Sequence, residues 1–169
     1  VPMALDSNEN ADNSIHKFES MLKTDDVYFF DAEDFEDIIH HYLNSGKIAL
    51  GKKAIQIGLE QHPNALELKL LQVEVLVFED KFERAEKLLD ELQDIDAFNE
   101  EIYIQRANIC SKQDRHNEAV DLLQEALHHT DESFDIHALL GMEYLFMDDF
   151  ERAKRSFMRC VEFDESDYS

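Results

Sequence analysis

The stretch HALLGMEYLFMDDFERAKRSFMRC, residues 137–160, decides the fold. Its first half sets Leu140, Gly141 and Tyr144 at helical spacing. Its second half sets Phe150, Ala153, Phe157 and Cys160 three, four and three residues apart. Apolar residues at that spacing line one face of an α-helix. A polar break at Met147-Asp148-Asp149 separates two such helices. A small residue between bulky ones lets two helix backbones approach while the large neighbours fill the gap beside them.

The same arrangement recurs upstream every 34 residues, which makes the chain a repeat protein. Gly51, Ala85, Ala119 and Ala153 form the small column (51, 85, 119, 153), and Ile48, Phe82, His116 and Phe150 stand three residues before them. Ile55, Leu89, Leu123 and Phe157 follow four residues later, and Gly58, Leu92, Ala126 and Cys160 seven later. The first helix of each unit carries its own apolar face. Phe35, Ile38, Ile39 and Tyr42 form it in repeat one, Tyr103, Ala107 and Cys110 in repeat three. The spacing predicts helical pairs over 32–65, 66–99, 100–133 and 134–167. Asn64 with Glu67, Asp80 with Glu83, and Asp148 with Glu151 are spaced as capping boxes at helix starts. Gly46 suits an interhelix turn, and Pro63 closes repeat one. In repeat two Lys69 and Gln72 occupy apolar columns. A shift of one residue, to Leu68, Leu71 and Val75, restores the pattern there.

These columns resemble the tetratricopeptide repeat family, a helical-repeat scaffold family. The family favours an aromatic near the start of each unit, a Leu-Gly pair, a Tyr, then Ala, Phe, Ala and a closing Pro. Repeat four is similar through Leu140, Gly141, Tyr144, Ala153 and Phe157; repeat three through Tyr103, Ala119 and Ala126; repeat one through Phe35, Tyr42 and Pro63. The resemblance implies an all-α fold: a right-handed α-solenoid of four helix-turn-helix repeats with a short N-terminal helix. It also implies a concave groove lined by first helices. Carried over position by position, that groove holds Glu36, His40, Leu70, Glu74, Val77, Phe78, Ile104, Asn108, Met142, Leu145 and Phe146. It is apolar with an acidic rim, suited to a basic or apolar peptide or helix of a partner protein. Family members that take acidic tails do so through basic groove residues. Here only Asn108 and Lys112 are suitable, and acids surround them, so that mode is not expected.

Charge narrows the function further. The chain has 39 acids against 16 bases, a net charge of -23. Such a chain repels phosphate backbones and anionic membrane surfaces, which argues against nucleic-acid or membrane partners. No run of apolar residues is long enough for a membrane span, and no basic-then-apolar leader is visible. Cys110 and Cys160 form no CxxC pair and read as reduced, buried small residues of a cytoplasmic protein.

No constellation carries catalysis. The pairs His40-His41 and His128-His129 are adjacent in sequence, so their side chains diverge by about 100° on a helix and chelate one ion poorly. Glu36 shares a face with His40, and Glu125 with His129, but no HExxH occurs. His116 and His137 fall on packing columns. No metal, cofactor or catalytic residue is expected. Arg152, Lys154, Arg155 and Arg159 are expected to pair with neighbouring acids.

The ends carry weaker signals. Residues 1–14 are rich in Asp, Asn and Ser and predict disorder. Ile15, Phe18, Met21 and Leu22 predict a short capping helix, with a connector up to residue 31. Phe157, Val161 and Phe163 at the other end suggest a fragment of a longer array, with homodimer formation through an exposed repeat end. A peptide-binding scaffold is the leading reading. A spacer or self-association segment is the alternative, and a metal-dependent enzyme ranks last.

Overall fold

The computed structural model describes residues 3–131 and 134–166, with side chains over 9–131 and 134–161. The described residues form helices and no strand. They are α1 (Met3–Lys23), α2 (Ala32–Asn44), α3 (Ile48–Gln61), α4 (Leu66–Phe78), α5 (Phe82–Ile95), α6 (Glu100–Lys112), α7 (His116–Ala126), α8 (Phe134–Phe146) and α9 (Phe150–Ser166). First helices begin at Ala32, Leu66, Glu100 and Phe134; second helices begin at Ile48, Phe82, His116 and Phe150. Both series keep the 34-residue interval, so α4 starts in phase with the others. The chain divides into two compact units, Val1–Val75 and Leu76–Ser169.

In the first unit, α1 and α3 pack around α2. Phe35, Ile38, Ile39 and Tyr42 of α2 are fully buried among Ile15, Phe18 and Met21 of α1 and Ala54 and Ile55 of α3. Aromatic edges lock this core: Phe18 meets Tyr42 at 6.0 Å and Phe30 at 6.4 Å, and Phe30 meets Phe35 at 5.5 Å. The connector before α2 is tied to the end of α3. Gln61 accepts from the Phe30 N–H at 3.0 Å and donates to the Tyr28 carbonyl at 2.8 Å, while the His62 ring lies 2.7 Å from the Phe30 carbonyl. These bonds satisfy backbone groups that no strand partner serves. The Tyr42 hydroxyl donates to Glu19 at 3.1 Å. Burial, with help from that carboxylate, pushes its pKa up to about 12. Helix α1 begins at Met3, so the disorder expected over 1–14 is not seen from residue 3 onward. It continues unbroken through the expected capping helix. Gly58 shows why its column stays small: a Cβ there would lie 3.1 Å from both Leu68 and Phe35, each fully buried.

In the second unit, α6 packs on α5 and α7, and α8 on α7 and α9. The core joins Tyr103, Ala107 and Cys110 of α6 to Ala119, Val120 and Leu123 of α7, then to Ile136, Leu140 and Tyr144 of α8 and Ala153 of α9. Ala85 and Ala119 are 0% exposed and Ala153 is 2% exposed, as a column at close helix crossings requires. At Gly141 a Cβ would fall 2.6 Å from the Phe157 ring. Arg106 of α6 reaches α5, donating to Glu86, to Asp90 at 2.7 Å and to Gln93 at 3.0 Å.

In repeat two Lys69 and Gln72 are half-buried, whereas Leu68, Leu71 and Val75 are buried, the set the one-residue shift selects. Leu70, Val73, Leu76 and Val77 are buried as well, so α4 is covered nearly all round. That burial removes the amphipathic stripe by which a helix's register is read.

The expected capping boxes at Asn64, Asp80 and Asp148 do not form, because the helices start one residue later than that spacing implies. Asn64 lies in the turn before Ala65, not at a helix start. Lys81 is the N-cap of α5, and Asp149 caps α9 by accepting from the Arg152 N–H at 3.2 Å. Asp80, Asp114 and Asp148 instead adopt φ of 60°, 60° and 57°, in the same column as Gly46 at 74°. The tight turn between paired helices needs one left-handed residue, and Asp tolerates that region better than most side chains. Replacing Asp114 with Val should lower stability by about 1–2 kcal/mol, whereas D114G should be neutral or mildly stabilising. Urea denaturation of the three proteins checks this, and equal midpoints for D114V and the parent would contradict it.

Candidate functional site

The eleven groove residues separate into a buried and an exposed set. In the first unit Glu36 is half-buried, His40 and Glu74 are exposed, and Leu70 is 4% exposed. Burial, then the charge of Glu67, pushes the Glu36 carboxyl above its usual range, and nearby His40 opposes this. In the second unit Val77 and Ile104 are buried and Asn108 is half-buried. Phe78, Met142, Leu145 and Phe146 remain exposed, at 65%, 45%, 39% and 58%. Leu70, Val77 and Ile104 thus serve packing, and a partner can reach them little. Leu70 and Val77 lie on α4, whose apolar residues have few outward positions left.

Met142, Leu145 and Phe146 are three and one residues apart and share one side of α8. Phe146 is held in place from beneath. Its ring stacks on His116 at 5.1 Å, and His116 Nδ1 lies 2.7 Å from Oε2 of Glu143, a buried carboxylate. A buried carboxylate needs such a partner, because leaving it unpaired would cost several kcal/mol. Phe78 is positioned by Lys112, one period further on. Its ammonium donates to the carbonyls of Val77 at 2.8 Å and Phe78 at 3.3 Å, and pairs with Asp80 at 2.6 Å. The cation thereby adds a second donor to the Val77 carbonyl, which also accepts from the Asp80 N–H at 3.1 Å, and serves the Phe78 carbonyl at the end of α4. Lys112 is therefore committed to structure. The Lys112 and His116–Glu143 contacts were not legible in the sequence, since each joins residues 27 to 35 positions apart.

The remaining candidates fall outside any site. His40 and His41 are exposed, and His41 packs on Tyr42 at 5.4 Å. His129 stacks on Phe98 at 4.4 Å and lies 5.9 Å from Tyr103. Among the described residues no group of three or more His, Cys, Asp or Glu could hold a metal ion. No described helix is long and apolar enough to cross a membrane. Phe157 is half-buried in the second core, Val161 is 56% exposed, and the side chain of Phe163 lies outside the described residues.

Residues 100–127 and 134–167 match the family model for the tetratricopeptide repeat. Those residues carry tetratricopeptide repeats. Solved structures give the same fold. The chain is similar to TTC0263, a thermophilic TPR protein in Thermus thermophilus, at 18% identity over 95% of this chain and 86% of that one, with a TM-score of 0.72. It is similar to MamA from Desulfovibrio magneticus RS-1 at 18% identity, over 82% of this chain and 78% of that one, with a TM-score of 0.60. MamA of MSR-1 aligns at 19% identity over 95% of both chains, with a TM-score of 0.58. No curated protein matches the sequence. Tetratricopeptide repeats are a protein-interaction scaffold, and that general role is the one the fold supports.

Both cysteines of this repeat protein are buried, and burial pushes each thiol above its ordinary pKa. Cys110 lies 4.0 Å from Glu118 Oε2, and Cys160 3.5 Å from the Phe134 carbonyl. Thiolate is the reactive form, so at pH 8 both should react with a thiol reagent at least about tenfold more slowly in the native protein than after unfolding in guanidinium. Stopped-flow labelling tests this, and a fast native phase from either cysteine would contradict it.

Proposed function

We propose that the second unit captures a helix or extended segment of a partner protein on the outward side of its first helices. Phe78, Met142, Leu145 and Phe146 make the principal contacts, and Asn108 supplies a polar one. In the first unit Glu36, His40 and Glu74 stand at the same repeat positions and make a separate polar, acidic set. The partner segment is apolar with basic or neutral flanks, matching a chain of net charge -23. The protein acts by binding and has no catalytic role, and the cytoplasm is its place of action.

One observation carries this reading: three large apolar side chains, grouped on one side of α8, stay exposed to water together. Grouped apolar side chains of this kind mark interaction surfaces. Their mounting is rigid, which lowers the ordering cost of binding. Phe146 rests on the His116–Glu143 pair, and Phe78 sits at a helix end pinned by Lys112.

Affinity capture with mass spectrometry, followed by titration of the captured partner, provides the test. Replacing both Phe78 and Leu145 with Glu should weaken capture at least about tenfold, as loss of central anchors does. Met158→Glu, on exposed α9, should leave it unchanged, and circular dichroism should show all variants folded. A partner retained equally by the F78E/L145E protein would refute the reading.

A further inference from the structure

The connector between α1 and α2 is held like a strand that has a neighbour on one edge only. Over residues 26–31 the chain is neither helical nor turned. The Gln61 side-chain amide donates to the Tyr28 carbonyl at 2.8 Å and accepts from the Phe30 N–H at 3.0 Å. One amide bridging a carbonyl and the N–H two residues further on is the contact a neighbouring strand makes. The Tyr28 N–H reaches the Met21 sulfur at 3.3 Å, and the Phe30 carbonyl lies 2.7 Å from the His62 ring. All four backbone groups of Tyr28 and Phe30 are thus taken by α1 and the end of α3. In an extended chain the groups of the intervening residues point the other way. Among the described residues, neither the N–H nor the carbonyl of Val27 or Phe29 makes a hydrogen bond.

The same two residues carry apolar side chains into water. Val27 is 85% exposed and Phe29 71%, although the Phe29 ring lies 5.2 Å from that of His62. Phe30 is buried against Phe18 and Phe35 and anchors the segment in the first core. β-Branched and aromatic residues suit a pleated surface. An exposed apolar strand edge with unpaired backbone groups is a template for another strand.

The flanks decide which strand. Asp25, Asp26 and Asp31 bracket the segment, and no Lys or Arg occurs from Thr24 to Gly46. Antiparallel pairing with a second copy that sets Val27 opposite Phe29 also sets Asp25 opposite Asp31. Parallel in-register pairing sets each Asp opposite its own counterpart. Like charges directly opposite one another destabilise a strand pair, whereas opposite charges stabilise it.

We infer that the outer edge of residues 26–30 takes up an extended segment of a partner protein as an added strand, basic at both ends and β-branched between. Backbone groups of Val27 and Phe29 supply the hydrogen bonds, and their side chains cover alternate residues of the guest. The inner edge is already fixed by Gln61, His62 and Met21, so little order has to be gained on binding. This surface lies in the first unit and does not depend on the α8 surface proposed above.

Fluorescence anisotropy of the intact protein with a labelled nonapeptide, alternating Val and Thr between Lys-Arg pairs, tests the assignment. A control peptide N-methylated on its three central residues keeps charge and side chains but loses backbone donors. It should bind at least about tenfold more weakly, since main-chain bonds carry the affinity of an added strand. V27P/F29P removes two outer N–H groups that bond to nothing within the protein, where the preceding chain is already non-helical as Pro requires. It should weaken binding by a similar factor with circular dichroism unchanged, and D25N/D26N should weaken it less. Amide exchange followed by NMR should slow at Val27 and Phe29 when the peptide binds. F78E/L145E should bind the peptide as the parent does, so failure here is distinguishable from failure of the α8 surface. No binding, equal binding of the N-methylated peptide, or loss of binding in F78E/L145E would overturn the inference. A dimer seen in sedimentation and abolished by V27P/F29P would also overturn it, by showing that a second copy covers this edge.

Discussion

Paired helices in this protein come close enough to nest only where a small side chain stands at the crossing, and much of the architecture follows from that contact. Gly51, Ala85, Ala119 and Ala153 supply it, one in each period, and all are buried. Close approach brings the large neighbours into register. Leu89 and Leu123 are then fully covered, and each pair buries an apolar face that a lone amphipathic helix would expose. Gly58 and Gly141 extend the constraint, since aromatic rings of Phe35 and Phe157 occupy the space where their Cβ atoms would be. Dense packing of this kind leaves little freedom to change volume.

Because the interior is settled by packing columns, the outward positions are free to vary, and function is written there. On α8, one side carries the core residues Leu140 and Tyr144, and another carries Met142, Leu145 and Phe146. The two surfaces differ in chemistry. The core side is closed by neighbouring helices, whereas the exposed side is supported by the pair of half-buried His116 and buried Glu143.

The periodicity of small and large residues sufficed to place the paired helices, because a 34-residue interval has few other physical causes. Three features escaped it for identifiable reasons. Asp80 and Asp148 resemble N-caps in composition, yet a turn that demands a left-handed residue uses Asp for its backbone tolerance, one position before the true cap. Leu70, Val77 and Ile104 sit at outward repeat positions but are buried, since position in a repeat does not reveal how much neighbouring helices cover. Asp and Asn dominate before residue 15 and mask the start of the N-terminal helix, which runs from Met3. The apolar side of α8 was legible from its spacing; the His116–Glu143 and Lys112 contacts that support the exposed aromatics were not, because they depend on where distant residues fall in space.

The in-phase nesting of repeats is tested most directly by removing one whole period. In a nearest-neighbour stack each unit contacts only those beside it, so an in-register deletion joins equivalent surfaces. Deleting residues 100–133, which fuses the exit of α5 to α8, should leave a shorter protein that is helical by circular dichroism and unfolds cooperatively. Deleting residues 100–115 instead removes α6 alone, leaves α7 without its partner helix, and should lower the unfolding midpoint and cooperativity well below those of the in-register deletion. Equal behaviour of the two deletions would contradict the account.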